Sequence, residues 1–325
     1  MSAIDNIKKN IASEMELFNQ EFDKALESDN EILKLVNQHI KGMKGKQIRP
    51  IMTILAAKLC KPINTSTLHA AVALELLHTA SLVHDDVVDN SDLRRGKPSV
   101  NAVFDNRISV LTGDYLLSQA LQTATLPNSL EIIKIVTKLG KELSEGELIQ
   151  INNAQTLSTV EERYLKVIEK KTAKLFSACM KCGAITVDAD EKQLEMVDKF
   201  GDKYGMIFQI RDDIFDYISS EKNIGKPVGN DIREGKITLP LIYAYNHGTA
   251  DEQKMIKDIY QKKGFTDENV KKIVDYTISK GGIEYAEKRI MDFKIEAEKV
   301  LQSFEMNSAR ETLQSLLDYS VERKK

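Results

Sequence analysis

Aspartates 85, 86 and 89 stand in the run HDDVVDNSDLRRG, and aspartates 212, 213 and 216 repeat the same spacing in GMIFQIRDDIFDYI. On a helix, positions i and i+4 share a face, so Asp85 with Asp89, and Asp212 with Asp216, each make a two-pronged oxygen claw. Two carboxylates about 4 Å apart repel by roughly 4 kcal/mol at an effective dielectric of about 20. Such crowding persists where a cation sits. Hard divalent ions with oxygen ligands suit it best, and Mg²⁺ is usually held by a few carboxylates together with substrate phosphates. A single cluster reads more readily as a solvated helix end. Two copies, each following an apolar helical run, turn the balance toward metal binding.

A site of that kind takes a polyanion, and polyanions call for Lys and Arg. The sequence supplies them beside glycine or proline. GKQIRP carries Lys46 and Arg49, DLRRGKP carries Arg94 and Arg95, and EKKTAKLF carries Lys171 next to Thr172. IGKPVGND adds Lys226, and REGKITLPL adds Lys236. His78 lies on the helical stripe that leads to Asp85 and Asp89, so its ring can face the same cavity. Taken singly, each lysine is an ordinary surface residue and His78 an ordinary core histidine; their company carries the argument. Glu145, Glu147 and Gln150 form a polar patch on an otherwise apolar helix, equally suited to a cavity or to solvent.

The elements that must hold these groups are helices. Ile4, Ile7, Ile11, Met15, Phe18, Phe22 and Leu26 recur at steps of three and four, and the rhythm returns from Val270 to Ile278 and from Ile290 to Phe304. Sustained two-residue alternation is absent. The prolines fall at gaps or helix starts. No linker, repeat or change of composition divides the 325 residues, so residues 1–325 read as one all-α domain. A net charge of −3 with 29% charged residues argues against nucleic acid as a partner. Three cysteines (Cys60, Cys179, Cys182) point to a reducing cytosol, and the CxxC pair reads as small buried side chains rather than a zinc site. The first residues show no signal peptide, and the apolar stretch 70–84 is too short and too polar to span a bilayer.

The runs ELLHTASLVHDDVVDNSDLRRGKPSV, EKKTAKLF, FQIRDDIFDY and GKPVGNDIREGKITLPL, with GKQIRP before them, resemble those of the trans-isoprenyl diphosphate synthases, the polyprenyl synthetase family. The resemblance covers residues 40–245. It implies an all-α bundle around a central active-site cavity, homodimeric and cytoplasmic, acting on isopentenyl diphosphate and an allylic diphosphate. It also implies that Asp85, Asp86, Asp89, Asp212, Asp213 and Asp216 hold about three Mg²⁺ on the allylic diphosphate. Arg94, Lys171, Thr172, Gln209, Lys226 and Lys236 match positions that grip the same group. Lys46, Arg49, His78 and Arg95 match those that grip isopentenyl diphosphate.

Ionisation of an allylic C–O bond leaves negative charge on diphosphate and positive charge on carbon. The first needs fixed cations, the second an apolar pocket free of water. By the resemblance, the departing diphosphate takes the final proton, so no His or Glu base is required. The growing tail runs along the helix ending in Asp85, where Ala80 and Ser81 lie about one turn (about 5.4 Å) before the aspartates. Small residues there, with the two-residue gap of DDVVD, resemble long-chain members. The expected product has about six to ten isoprene units and serves as a quinone side chain. The rivals are a short-chain synthase, a terpene cyclase, which has no use for GKQIRP and His78, and a non-catalytic subunit, in which aspartates are typically lost. A terminal VERKK allows at most a peripheral membrane contact.

Overall fold

Asn64 and Thr67 start the helix that carries the first aspartate motif. The Asn64 side chain accepts the Thr67 N–H at 3.1 Å, and the Thr67 hydroxyl accepts the Asn64 N–H at 3.3 Å. This reciprocal cap satisfies two donors that a helix start leaves orphaned. The helix, Thr65–Val88, then buries Leu68, Ala71, Leu74, Leu76, Leu77, Ala80 and Val83. Each fully buried leucine contributes roughly 1.5–3 kcal/mol of transfer free energy. The helix is 24 residues long, longer than the apolar stretch the sequence marks out, and by length and composition it could cross a membrane. However, 67% of its most apolar window is buried inside the protein.

The computed structural model describes residues 3–43, 45–218 and 228–323. Its helices are α1 (Ala3–Lys9), α2 (Ala12–Ala25), α3 (Glu31–Gly42), α4 (Ile48–Cys60), α5 (Thr65–Val88), α6 (Val100–Phe104), α7 (Asn106–Thr125) and α8 (Leu130–Thr156). There follow α9 (Glu161–Ile168), a π-helical turn (Glu169–Ala173), α10 (Lys174–Ile185), α11 (Glu191–Ile218), α12 (Asn230–Arg233), α13 (Leu239–Asn246), α14 (Ala250–Gln261), α15 (Asp267–Ser279), α16 (Gly282–Gln302) and α17 (Ser308–Glu322). The all-α reading holds. Among the described residues the one sheet is a ribbon of Leu93–Arg94 (β1) with Lys97–Pro98 (β2). Strands of two residues are too short to leave an alternation in the sequence.

Two compact units share these helices, one of residues 1–141, 175–201 and 298–319, the other of residues 142–174, 202–297 and 320–325. In the first, α5 packs against α4 and α7, and the opening stripe Ile7, Ile11, Phe18, Phe22 is buried as its period requires. In the second, the part of α11 carrying Tyr204, Ile207, Ile210 and Ile214 is fully buried. Gly205 lets α11 approach the π-helical turn: a Cβ there would lie 2.4 Å from Ala173 Cα. That approach sets Thr172 beside Gln209. A π-turn is rare inside a helix and frequent at functional sites, and no single residue type announces it.

Candidate active site

Both aspartate triads sit at the C-terminal ends of long helices, Asp85 to Asp89 closing α5 and Asp212 to Asp216 in the last turns of α11. Neither last turn holds a basic residue. The C-terminal end of a helix carries negative potential that favours cations, so three carboxylates there add to an already unfavourable field. This placement strengthens the case for a cation at each.

In the first unit, Asp86 is the buried member of its triad and Asp85 and Asp89 are half-buried. Arg94 holds Asp86 through Nε at 2.8 Å and through a second contact from Nη2. Arg94 owes its position to the β1–β2 ribbon, whose two-residue turn is Arg95 (φ 54°) and Gly96 (φ 75°). Two positive φ angles in succession make the tight turn that matches strand twist, and only glycine adopts one without cost. A non-glycine at the first position stores strain of the kind found at functional sites. The Arg95 guanidinium donates to the Met43 carbonyl at 2.8 Å. Arg49 lies over the Phe176 ring at 4.9 Å, and Lys46 over the Tyr319 ring at 5.4 Å.

A small cavity of about 50 Å³ is lined by Gly45, Gln47, Glu75, Thr79, Asp86, Arg94 and Arg95 with an apolar wall from Phe22, Ile40 and Val83; Lys46, Arg49 and His78 are not part of its lining. Burial, reinforced by Arg49, Arg95 and Arg94, drives the His78 ring well below its ordinary pKa. It is therefore a neutral imidazole. Burial raises the Glu75 carboxyl, which Arg49 and Arg95 partly offset, and Glu75 Oε2 is buried without a hydrogen-bond partner. Glu75 escaped the sequence reading because one acidic residue in an apolar run carries no pattern. Ala80 is buried and Ser81 half-buried, its hydroxyl donating to the His78 carbonyl at 2.9 Å. His84 is held near Asp114 and the Val110 carbonyl, at 3.3 and 3.2 Å, and does not line the cavity.

In the second unit, a cavity of about 140 Å³ is lined by Gln150, Tyr164, Lys171, Thr172, Gln209, Asp213, Asp231, Lys236 and Thr238. Thr172 donates to Gln209 Oε1 at 2.7 Å, and Gln209 in turn donates to Asp213 Oδ1 at 2.8 Å. Tyr164 donates to Asp213 Oδ2 at 2.7 Å. Lys171 pairs with Glu147 and lies 3.2 Å from Gln150 Oε1, while Lys170 pairs with Glu145 at 2.7 Å. The polar patch of α8 is thereby accounted for: it meets the lysines of the π-helical turn. Lys236 pairs with Glu234 at 2.5 Å. Lys226 falls outside the described residues.

Asp216 accepts the backbone N–H groups of Asn230 and Asp231 at 2.9 and 3.0 Å, anchoring the first turn of α12. Burial and the neighbouring Asp231 push Asp216 up to about 7 and Asp213 well above the carboxylate range. Asp231 is thus a fourth aspartate in this half-site. It stands in the quoted GNDIREGK run, but only the folded chain brings it to Asp213. Tyr164 is seven residues before Lys171, two helical turns on the same face, and spacing could have found it. Asp212 pairs with Arg323 at 2.6 Å.

Oxygen donors of this number, with two carboxyls pushed toward protonation by burial and by the charge of Asp231, fit a hard divalent cation. Among the described residues no three His, Cys, Asp or Glu side chains already form a metal cage. Cys179 and Cys182 are buried thiols, Cys179 raised by burial to about 12.

Helices throughout, with an acid triad ending two of the longest, define the isoprenoid synthase fold. The polyprenyl synthetase family matches residues 30–277, and the chain belongs to that family. Octaprenyl diphosphate synthase of Haemophilus influenzae is 35% identical over 326 residues, spanning 99% of this chain and 98% of that protein. Its Escherichia coli counterpart is 33% identical, with 98% and 99% covered. A polyprenyl synthase from Caulobacter crescentus, solved with calcium and isoprenyl diphosphate, superposes with TM-score 0.94 at 31% identity, covering 99% of this chain and 98% of that one. A geranylgeranyl pyrophosphate synthase from Bacteroides thetaiotaomicron gives 0.87 at 40%, covering 99% and 100%. Members of this prenyltransferase class generally need a divalent metal.

Proposed function

We propose that this chain is a trans-polyprenyl diphosphate synthase that adds isopentenyl diphosphate to an allylic diphosphate and makes a long-chain product. The observation that carries the reading is the pair of acid triads at cation-demanding helix ends, each accompanied by Lys or Arg in its own half-site. Asp85, Asp86, Asp89, Asp212, Asp213 and Asp216 hold Mg²⁺, about three ions. Arg94, Lys171, Thr172, Gln209, Lys226 and Lys236 grip the allylic diphosphate. Lys46, Arg49, His78 and Arg95 receive isopentenyl diphosphate. Bound Mg²⁺ stabilises the charge that develops on the leaving diphosphate.

The chain's own groups do the rest. Arg94, Lys171 and Lys236, each matched to a carboxylate of the same unit, are preorganised donors for charge that appears during ionisation. Arg95 of the β1–β2 turn, with Lys46 and the Arg49 guanidinium, orients the second substrate. Neutral His78 offers a hydrogen bond without adding charge. The apolar residues of α5 shield the carbocation from water. Ala80 and Ser81 leave the path of the growing tail open, and the relatives named octaprenyl diphosphate synthase support a product of about six to ten isoprene units. Its use as a quinone side chain, a homodimeric state, cytoplasmic location and at most peripheral membrane contact complete the reading; Lys324 and Lys325 of the basic tail lie outside the described residues.

The deciding experiment incubates the purified protein with Mg²⁺, radiolabelled isopentenyl diphosphate and geranyl, farnesyl or geranylgeranyl diphosphate in turn, then sizes the products. Chains of thirty or more carbons support the reading. Arrest at twenty carbons makes the protein a short-chain synthase, and no product at all from the single chain makes it a subunit.

A further inference from the structure

Arg323 follows α17, and its side chain is only 6% exposed. The guanidinium lies 4.1 Å over the Phe208 ring and 5.3 Å from that of Phe215. Nη2 donates to the Phe208 carbonyl at 2.9 Å and meets Asp212 Oδ1 at 2.6 Å, while Nε has no hydrogen-bond partner. Phe208, Asp212 and Phe215 are spaced by four and three, so they share one face of α11. Arg323 is laid along that face. Four residues earlier a second tie joins the same elements on α11: Tyr204 Oη and Ser320 Oγ are 2.7 Å apart. The other arginine nearby, Arg211, faces Glu287 at 3.5 Å.

Burying a guanidinium costs several kcal/mol of desolvation, on the order of the penalty for any buried ion. Surface pairing of Asp212 with a lysine would avoid that cost. What burial between two rings adds is immobility. A guanidinium that merely neutralised Asp212 could sit anywhere near it, whereas one clamped by two aromatic faces and a carbonyl presents its N–H in one direction. Carboxylates that ligate metals are themselves commonly held by such outer hydrogen bonds, which fix their orientation.

We propose that Arg323 is the positioning residue for the first carboxylate of the second aspartate motif, fixing Asp212 in the orientation in which it ligates a divalent cation. The inference rests on the reading above that Asp212 is a metal ligand. Arg323 touches no substrate; it acts through Asp212.

The test uses the full chain and Mn²⁺ as the probe, with protein-bound Mn²⁺ measured by electron paramagnetic resonance at fixed inorganic pyrophosphate. Asp212→Asn, Arg323→Gln and Arg323→Lys are compared with the parent, with circular dichroism and Tm recorded for each. Asp212→Asn loses the Mn²⁺ held at the second aspartate motif, so fewer ions bind per chain than in the parent. Arg323→Gln weakens Mn²⁺ affinity about 10- to 100-fold, and its turnover recovers when Mg²⁺ is raised. Arg323→Lys keeps the charge, loses the planar fork and still shows most of the defect; it also decides the matter should Arg323→Gln fail to fold. Parent-like or tighter Mn²⁺ binding in the arginine variants, with that ion lost in Asp212→Asn, overturns the inference alone. Full Mn²⁺ binding by Asp212→Asn overturns the reading of Asp212 beneath it.

Discussion

Tyr164 Oη donates to Asp213 Oδ2 at 2.7 Å, while the other oxygen of the same buried carboxylate accepts from Gln209 at 2.8 Å. The tyrosine is itself buried, and burial with the Asp213 charge keeps its hydroxyl protonated far above the usual range. A hydrogen bond to a charged group is worth roughly 1.5–3 kcal/mol. Tyr164→Phe keeps the ring and removes only the donor. The expected result is a fall in kcat/KM for the allylic diphosphate of about 10- to 100-fold, with an unchanged far-ultraviolet spectrum. Steady-state kinetics with the allylic substrate varied at fixed isopentenyl diphosphate measures it.

Burial and then the charge of Asp231 push Asp216 up to about 7 and raise Asp213 as well. A carboxyl whose folded pKa lies above its unfolded value of about 4 binds more protons when folded. Its contribution to stability is present at low pH and is lost as pH rises through about 7. The Tm of the metal-free protein therefore declines between pH 5 and pH 8. Mg²⁺ favours the ionised carboxylates, so the Tm increment it produces grows over the same range. Asp231→Asn flattens both trends. Scanning calorimetry at a series of pH values, with Mg²⁺ and with chelator, gives the answer.

Lys171 is paired with Glu147 before any diphosphate arrives. The carboxylate competes with the substrate for the same ammonium, and the pair is partly exposed, so its strength is within about 1 kcal/mol. Glu147→Gln keeps the shape and removes the competitor. The KM for the allylic diphosphate falls by up to about fivefold, and kcat does not rise. A KM that increases instead assigns Glu147 to holding Lys171 in place.

Ala80 is buried on the helix that ends in Asp85, and Ser81 beside it is half-buried. A tyrosine at either position adds a ring about one helical turn from the aspartates. Product chromatography shows a shorter chain for Ala80→Tyr. Since overpacking a buried site costs about 1–3 kcal/mol, Ser81→Tyr serves as the milder companion. Unaltered product length in both variants removes these residues from any role in chain length.

Much of this protein is legible before folding. Helical periodicity in Ile4 through Leu26 anticipates the buried stripe, because burial of one helix face leaves a repeat of three and four whatever the partner. The DDVVD and DDIFD spacings, and the lysines and arginines beside glycine, are local facts of type and distance along the chain. What the chain order does not carry is partnership. The two-residue ribbon that aims Arg94 at Asp86 is too brief to leave a pattern. The π-helical turn that sets Lys171 against Glu147 is written in no single residue. Tyr164 and Asp231 reach Asp213 from 49 and 18 positions away, and Arg323 reaches Asp212 across more than 100. Carboxylates are placed by local sequence; whether each meets a hydroxyl, a guanidinium or another carboxylate depends on helices packing, since desolvation and charge act through space.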